Sequence, residues 1–258
     1  MVQSTRAIVV ACAAIVAPPL AAHGAPVELR VTVRNLAPAN SISFAPLRVG
    51  FGDGTFDSFD AGEAATAPII SIAEGGSGSD WFPAFAAAEP GATLGTVVGM
   101  PAGPLLPGAS ASTTFTVDPA MNRFFTFASM AVPSNDYFIG NDSPTQYELF
   151  DAMGQLNLTS ITQSASDIWD AGSEADSIAN AAFIVGSNND LRIDQGGVVS
   201  FDFEGLSIFN GQTTAAGYTF DLQLTSSTPV YSISFEVVPA PGTLALLGLG
   251  ALLSRRRR

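Results

Sequence analysis

The feature that most constrains this chain is a period-two alternation of apolar and polar residues. "VELRVTVRNL" sets Val27, Leu29, Val31 and Val33 on one face and Glu28, Arg30, Thr32 and Arg34 on the other. Successive side chains of an extended strand point to opposite faces, so such a run has one buried side and one wet side. "SISFAPLRVGF" follows the turn residues Pro38, Ala39 and Asn40, and "STTFTV", "RFFTFASMAV", "VVSFDFEG", "YTFDLQL" and "VYSISFEVV" come later. Their Phe, Val and Thr content and their Gly, Pro, Asn and Asp punctuation predict half-buried strands, with Phe124, Phe125, Phe127, Phe201 and Phe203 mainly in the core. Several such strands along one chain predict a mainly β fold, an antiparallel β-sandwich. The exception is the Ala-rich "GEAATAPIISIAEGG" (62–76), which predicts a short helix or two turns, with Pro68 interrupting a continuous helix. Little helix is expected elsewhere. "EGGSGSD" (74–80) reads as a flexible loop and "GSNNDLRIDQGG" (186–197) as a polar connection. Asn141 and Asn157 each open an Asn-x-Ser/Thr triplet and are read as ordinary surface residues.

The two ends carry a different pattern. Arg6 precedes an apolar run from Ala7 to Ala22 and small residues follow, the order of a secretory signal peptide cleaved after Gly24. Pro18, Pro19 and the shortness of the run argue against a membrane anchor. At the other end come Pro239-Ala240-Pro241, an apolar stretch from Gly242 to Leu253, and Arg255 to Arg258. As a helix that stretch covers only about 18 Å of a hydrocarbon core roughly 30 Å thick. The arginines would stay on the cytoplasmic side. This order resembles the PEP-CTERM sorting signal that exosortases process in Gram-negative bacteria, although Ala240 stands where the commonest form has Glu. The expected organisation is a signal peptide (1–24), one β domain (25–236) and a sorting signal (237–258). The resemblance implies transient inner-membrane association through 242–253, exosortase-type processing, and delivery to the cell surface or medium.

Setting the ends aside sharpens the composition. The whole chain carries a net charge of −13 and no Lys. The central region keeps Arg30, Arg34, Arg48, Arg123 and Arg192 against all 23 acids, and 5 − 23 gives −18. Such a charge repels nucleic acid and anionic membrane, so neither is an expected partner. Cys12 and His23 both fall in the signal segment. The central region therefore has no disulfide, no Ser-His-Asp triad, no thiol nucleophile, no Schiff-base lysine and no His- or Cys-ligated zinc. Roughly 210 residues still suffice for one well-filled core. The expectation is a protein that is not an enzyme.

Against that background "DIWDAGSEADS" (167–177) crowds Asp167, Asp170, Glu174 and Asp176 together. Such crowding is unfavourable unless water, a cation or hydrogen-bond donors neutralise it. Four stretches in order, "LRVTVRNLAPANSISFAPLRV" (29–49), "FDAGEAATAPIISIAEGG" (59–76), "FTFASMAVPSNDYFIG" (125–140) and "DIWDAGSEADS", resemble the spondin domain of F-spondin and mindin and its bacterial relatives. The most specific part is Ser129-Met130, "PSNDYFIG" and then "DAGSE" about thirty residues later. The match covers roughly residues 27–180, and the strand that completes the fold beyond it is left open. The resemblance implies a C2-like β-sandwich holding one calcium ion in its loops, with Asp136, Asp170 and Glu174 at the positions of the family's ligands. The residue types suit that ion: Ca²⁺ takes six to eight oxygen ligands, and Gly172 permits a tight turn between Asp170 and Glu174. Asp167 and Asp176 are expected to face solvent or to stand behind the ligands. A second group, Asp53, Asp57, Asp60 and Glu63, lacks EF-hand spacing. It reads as loop carboxylates, with Asp60 capping a helix, although a second ion there is left open.

These readings converge on an exported, non-enzymatic surface or matrix protein acting in adhesion or biofilm, with extracellular matrix or polysaccharide as partner. One alternative is a polysaccharide-binding module using Trp81 or Trp169, which the sequence places in loops. A glycoside hydrolase using two carboxylates of 167–176 is the other.

Overall fold

The computed structural model describes residues 25–239, so the assignments to 1–24 and to the tail from Ala240 onward lie outside the described residues. In chain order the strands are β1 (Val27–Asn35), β2 (Ser43–Phe44), β3 (Leu47–Gly52), β4 (Thr93–Val97), β5 (Ser110–Val117), β6 (Phe124–Val132), β7 (Tyr137–Gly140), β8 (Ser160–Ser164), β9 (Trp169–Asp170), β10 (Ser200–Phe201) and β11 (Pro229–Val238). Two short helices, α1 (Ala67–Ala73) and α2 (Trp81–Ala88), fall between β3 and β4. The strands form two antiparallel sheets. One has the order β5-β1-β11-β8, the other β10-β9-β7-β6-β3-β4 with β2 also on β6. The chain is thus strand-dominant and two-sheeted, as the alternation predicts.

The apolar faces meet in one core. Leu29, Val31 and Val33 of β1, Phe115 of β5, and Ile233 and Phe235 of β11 face Val49, Phe51, Phe125 and Phe127 of the second sheet, all buried. Ring pairs cross the gap: Phe51 lies 5.2 Å from Phe115, and Phe125 lies 4.8 Å from Phe235. Burying each such ring stabilises the fold by roughly 2–3 kcal/mol before entropy. Strand β11 fills the place the sequence left open, running between β1 and β8. Glu28 pairs with Val238, so the first and last strands lie side by side. The pairing carries the domain two residues past the expected boundary at 236.

The second sheet is covered on its other face as well. There α1 and α2 pack Ile69, Ile72, Trp81 and Phe85 against Phe59, Ala128, Phe138 and Trp169. Coverage from both sides explains why β6 and β7 are buried almost throughout instead of alternating. On β3, Gly50 and Gly52 leave the room that Phe85 and Glu89 occupy, which a Cβ at either position would invade. β2 and β3 are one strand interrupted by a bulge: Phe44 opposes Ala131, yet Arg48 opposes Ala128. Four steps on one strand thus match three on the other, with Pro46, which lacks an N–H, in the irregular stretch.

Several expectations are corrected. Helix 81–88 was not foreseen, nor were β4 and β8. Pro68 sits in the first turn of α1, where its missing N–H costs nothing, so it opens that helix instead of interrupting it. The cap is Thr66, whose Oγ1 accepts from Ile69 N at 3.5 Å, not Asp60. "VVSFDFEG" yields only the two residues of β10. "YTFDLQL" is not a strand: Phe220 N donates to Gln212 O, Asp221 N to Asn40 O and Leu222 N to Asn210 Oδ1, so loops take the place of a strand ladder.

Candidate functional site

The turn between β6 and β7 contributes Ser134, Asn135 and Asp136, and β9 leads directly into Ala171, Gly172, Ser173 and Glu174. Pairing of Tyr137 with Asp170 fixes the two segments against each other. Gly172 turns the chain at φ +65°, pressed against the backbone of Gly197 and Val198, where a Cβ would sit 2.6 Å from Val198 N. That left-handed step aims two consecutive amides at one point, an anion-binding nest. Asp136 fills it. Its Oδ2 accepts from Ser173 N at 2.7 Å, Glu174 N at 2.9 Å and Ser173 Oγ at 3.1 Å.

The other carboxylates are engaged separately. Asp170 Oδ1 accepts from Gly172 N at 2.6 Å. Buried Glu174 turns Oε1 to the side-chain amides of Asn135 and Asn180. Asp176 is exposed as a residue, yet its carboxylate accepts the Tyr137 hydroxyl at 3.0 Å, with Asp202 on the same hydroxyl at 3.3 Å. Asp167 caps the 3₁₀ turn 165–167, accepting from Ser164 N and Oγ, both at 2.7 Å.

The expected Ca²⁺ is therefore corrected. Asp136, Asp170 and Glu174 do fall in one neighbourhood, but among the described residues no group of three or more His, Cys, Asp or Glu side chains could hold a metal ion. The physical reason is where the lone pairs go. Backbone amides, a serine and two asparagines take oxygens that a cation would need, and donors thus provide the neutralisation that crowded carboxylates require.

Donors alone do not finish the task. Asp136 Oδ1 is buried and has no hydrogen-bond partner among the described residues. Burial, and next the charge of Asp170, raise the Asp136 carboxyl well above the usual carboxylate range, against the opposing pull of the Glu174 and Ser173 donors. Asp170 is also raised, first by burial, while Gly172 N opposes the shift. With both carboxyls raised and each acting on the other, the pair gives up its proton later than separated aspartates would. Burial raises Glu174 as well, and it lifts Asp176 to about 6, with Asp170 and Asp202 adding to the shift. Burial and the charge of Asp176 push the Tyr137 hydroxyl up, keeping it a proton donor.

Chemically the arrangement is a hydrogen-bonded lock that ties the 134–136 turn to the 171–174 loop. Asp136 has no exposed surface, whereas Asp170 is partly exposed. Sequence reasoning missed Asn135, Asn180 and Asp202. The usable signal for Asp202 was its place two residues before Glu204 and three before Gly205, whose amides its Oδ1 accepts in a turn.

The remaining candidates resolve similarly. Trp81 and Trp169 are buried, at 0% and 4% exposure, so neither offers a face to a sugar. Among the expected core phenylalanines, Phe125 and Phe127 are buried and Phe124 and Phe203 half-buried, whereas Phe201 is 58% exposed. The second acidic group lies on loop 53–63. The carboxylate that organises its start is Glu89, at the end of α2, accepting from Asp53 N at 2.5 Å, Thr55 N at 2.8 Å and Phe56 N at 2.6 Å. Among the described residues no helix is long and apolar enough to cross a membrane. No protein-family model matches the chain, and no curated protein matches it.

Proposed function

We propose that the chain is an exported, non-enzymatic surface or matrix protein of a Gram-negative bacterium, built on a C2-like β-sandwich of the spondin type and serving adhesion or biofilm structure. The observation that carries this reading is the domain's relation to its ends. β1 starts at Val27 and β11 stops at Val238, paired side by side, so cuts after Gly24 and near Pro239 would remove no strand residue. Two sheets sharing a core accord with the spondin reading, and so does the "PSNDYFIG" turn held against "DAGSE". The non-enzymatic part rests on a region without His, Cys or Lys whose most perturbed acid is sealed inside. In this reading the acidic lock is structural, and adhesion belongs to the surface. The test is intact-mass analysis of the protein recovered from medium and cell surface. Loss of both ends is expected. Surface-delivered protein still carrying Arg255 to Arg258, or protein confined to the cytoplasm, would contradict the reading.

A further inference from the structure

Phe201 is the exposed aromatic of the second sheet's edge strand. Its ring stacks on Trp169 at 3.6 Å between centroids and 24° between planes. Parallel stacking covers one face only, and with Phe201 58% exposed the outer face is open to solvent. Trp169 holds the platform rigidly, since its own Nε1 donates to Gly140 O at 3.2 Å and its ring packs on Phe59. A cleft of about 280 Å³ opens beside Phe201, lined also by Ser166, Asp202, Phe203 and Glu204. Phe203 and Glu204 also wall a second cleft of about 430 Å³, floored by Leu222 and Leu224 and rimmed by hydroxyl side chains. The two clefts adjoin at Phe203 and Glu204, and together this groove-like stretch of surface offers apolar side chains flanked by acceptors.

We infer that this groove binds a neutral polysaccharide chain, one sugar stacking on Phe201 and its neighbour lying over Leu222 and Leu224. The C–H face of a pyranose suits an aromatic or aliphatic floor, and its hydroxyls donate to carboxylates. Glu204 is the carboxylate free to accept them: its side chain makes no hydrogen bond among the described residues, whereas Asp202 is committed to the amides of Glu204 and Gly205 and to Tyr137. Among the described residues no cation lines either cleft, and the central region's charge of −18 (5 arginines against 23 acids) opposes an anionic glycan. The inference deepens the matrix-protein reading by naming a ligand class. It rests on that reading only for the ligand to be within reach, so the export test and the binding test fail separately.

The experiment is calorimetric titration of the purified protein with cellohexaose, laminarihexaose and chitohexaose, and with hexagalacturonate as the anionic counterpart. One or more of the neutral chains should bind and hexagalacturonate should not. Phe201→Ala should weaken binding about tenfold, which corresponds to ~1.4 kcal/mol. Phe201→Tyr should keep it, and Glu204→Ala, a change on the exposed rim, should weaken it several-fold. Absence of binding by all three neutral chains at millimolar concentration would overturn the inference. So would equal or tighter binding of hexagalacturonate, or wild-type affinity in both Phe201→Ala and Glu204→Ala.

Discussion

Glu89 and Asp136 are both buried carboxylates that pin a loop to the second sheet, and the fold neutralises them differently. Glu89, 3% exposed, receives three backbone amides from the 53–56 loop, distributed over both oxygens. Asp136 also receives three donors, but all on Oδ2, while Oδ1 has none and Asp170 stands beside it. A carboxylate with donors on both oxygens meets its hydrogen-bond demand within the fold. One with a bare oxygen and an acidic neighbour keeps a proton instead. The lesson is that an acidic run in the sequence does not reveal how its charge is answered, because the answering groups come from elsewhere. Glu89 lies more than thirty residues beyond the loop it organises.

The largest effect expected from this contrast is at Glu89. Glu89→Ala leaves the amides of Asp53 and Phe56 without an acceptor and Thr55 N with Asp53 Oδ1 alone, and it should cost about 4 kcal/mol, lowering Tm by about 10 °C in a domain of this size. A thermal melt checks it, and a shift of a degree or two would mean that water replaces the carboxylate. Asp136 should respond according to what replaces it. Asp136→Ala strands the amides of Ser173 and Glu174, at a cost of about 2–3 kcal/mol by denaturant titration. Asp136→Asn keeps an acceptor for them and gives Asp170 a donor, so above pH 7 it should match the wild type or exceed it by about 1 kcal/mol. If Asn proves as damaging as Ala, the shared proton is the wrong account of the pair. Tyr137→Phe removes the hydroxyl that Asp176 and Asp202 accept and should cost about 1 kcal/mol in the same titration. Smallest is the cap of α1. Thr66→Ala should cost somewhat under about 1 kcal/mol, given its long 3.5 Å bond, and Asp60→Ala should leave the melt unchanged.

Much of the two-sheet fold was legible because alternation reports which side of a run is buried. In β1 and β11 that sufficed, since one face is wet. It misled in "YTFDLQL", where Phe220 and Leu222 are buried and their neighbours exposed, yet the amides go to loops and Gln223 breaks extension at φ +45°. Alternation records burial, not pairing. Helix α2 escaped for the opposite reason. Trp81, Phe85 and Glu89 form a buried stripe at helical spacing, but the exposed side is alanine and Pro83, so no contrast of polarity marked it. At the site, the motifs brought Asp136, Asp170 and Glu174 to one neighbourhood. Sequence could not say that Asn135 and Asn180 would take Glu174's oxygen, because Asn180 stands outside both motifs.

The proton on the Asp136–Asp170 pair is the central claim, and stability against pH tests it most directly. Burial raises the folded-state pKa values of Asp136, Asp170, Glu174 and Asp176, the last to about 6. Between the ordinary carboxylate value near 4 and these raised values, the folded protein binds protons that the unfolded chain has released. Stability should therefore fall as pH rises through that window and level off above it. The measurement is the unfolding free energy of wild type and Asp136→Asn from pH 4 to pH 8. The account predicts a decline in the wild type that is shallower in Asp136→Asn by up to one proton, about 1.4 kcal/mol per pH unit. A wild-type stability that is flat or rises across this range, or an Asp136→Asn curve parallel to it, would contradict the account.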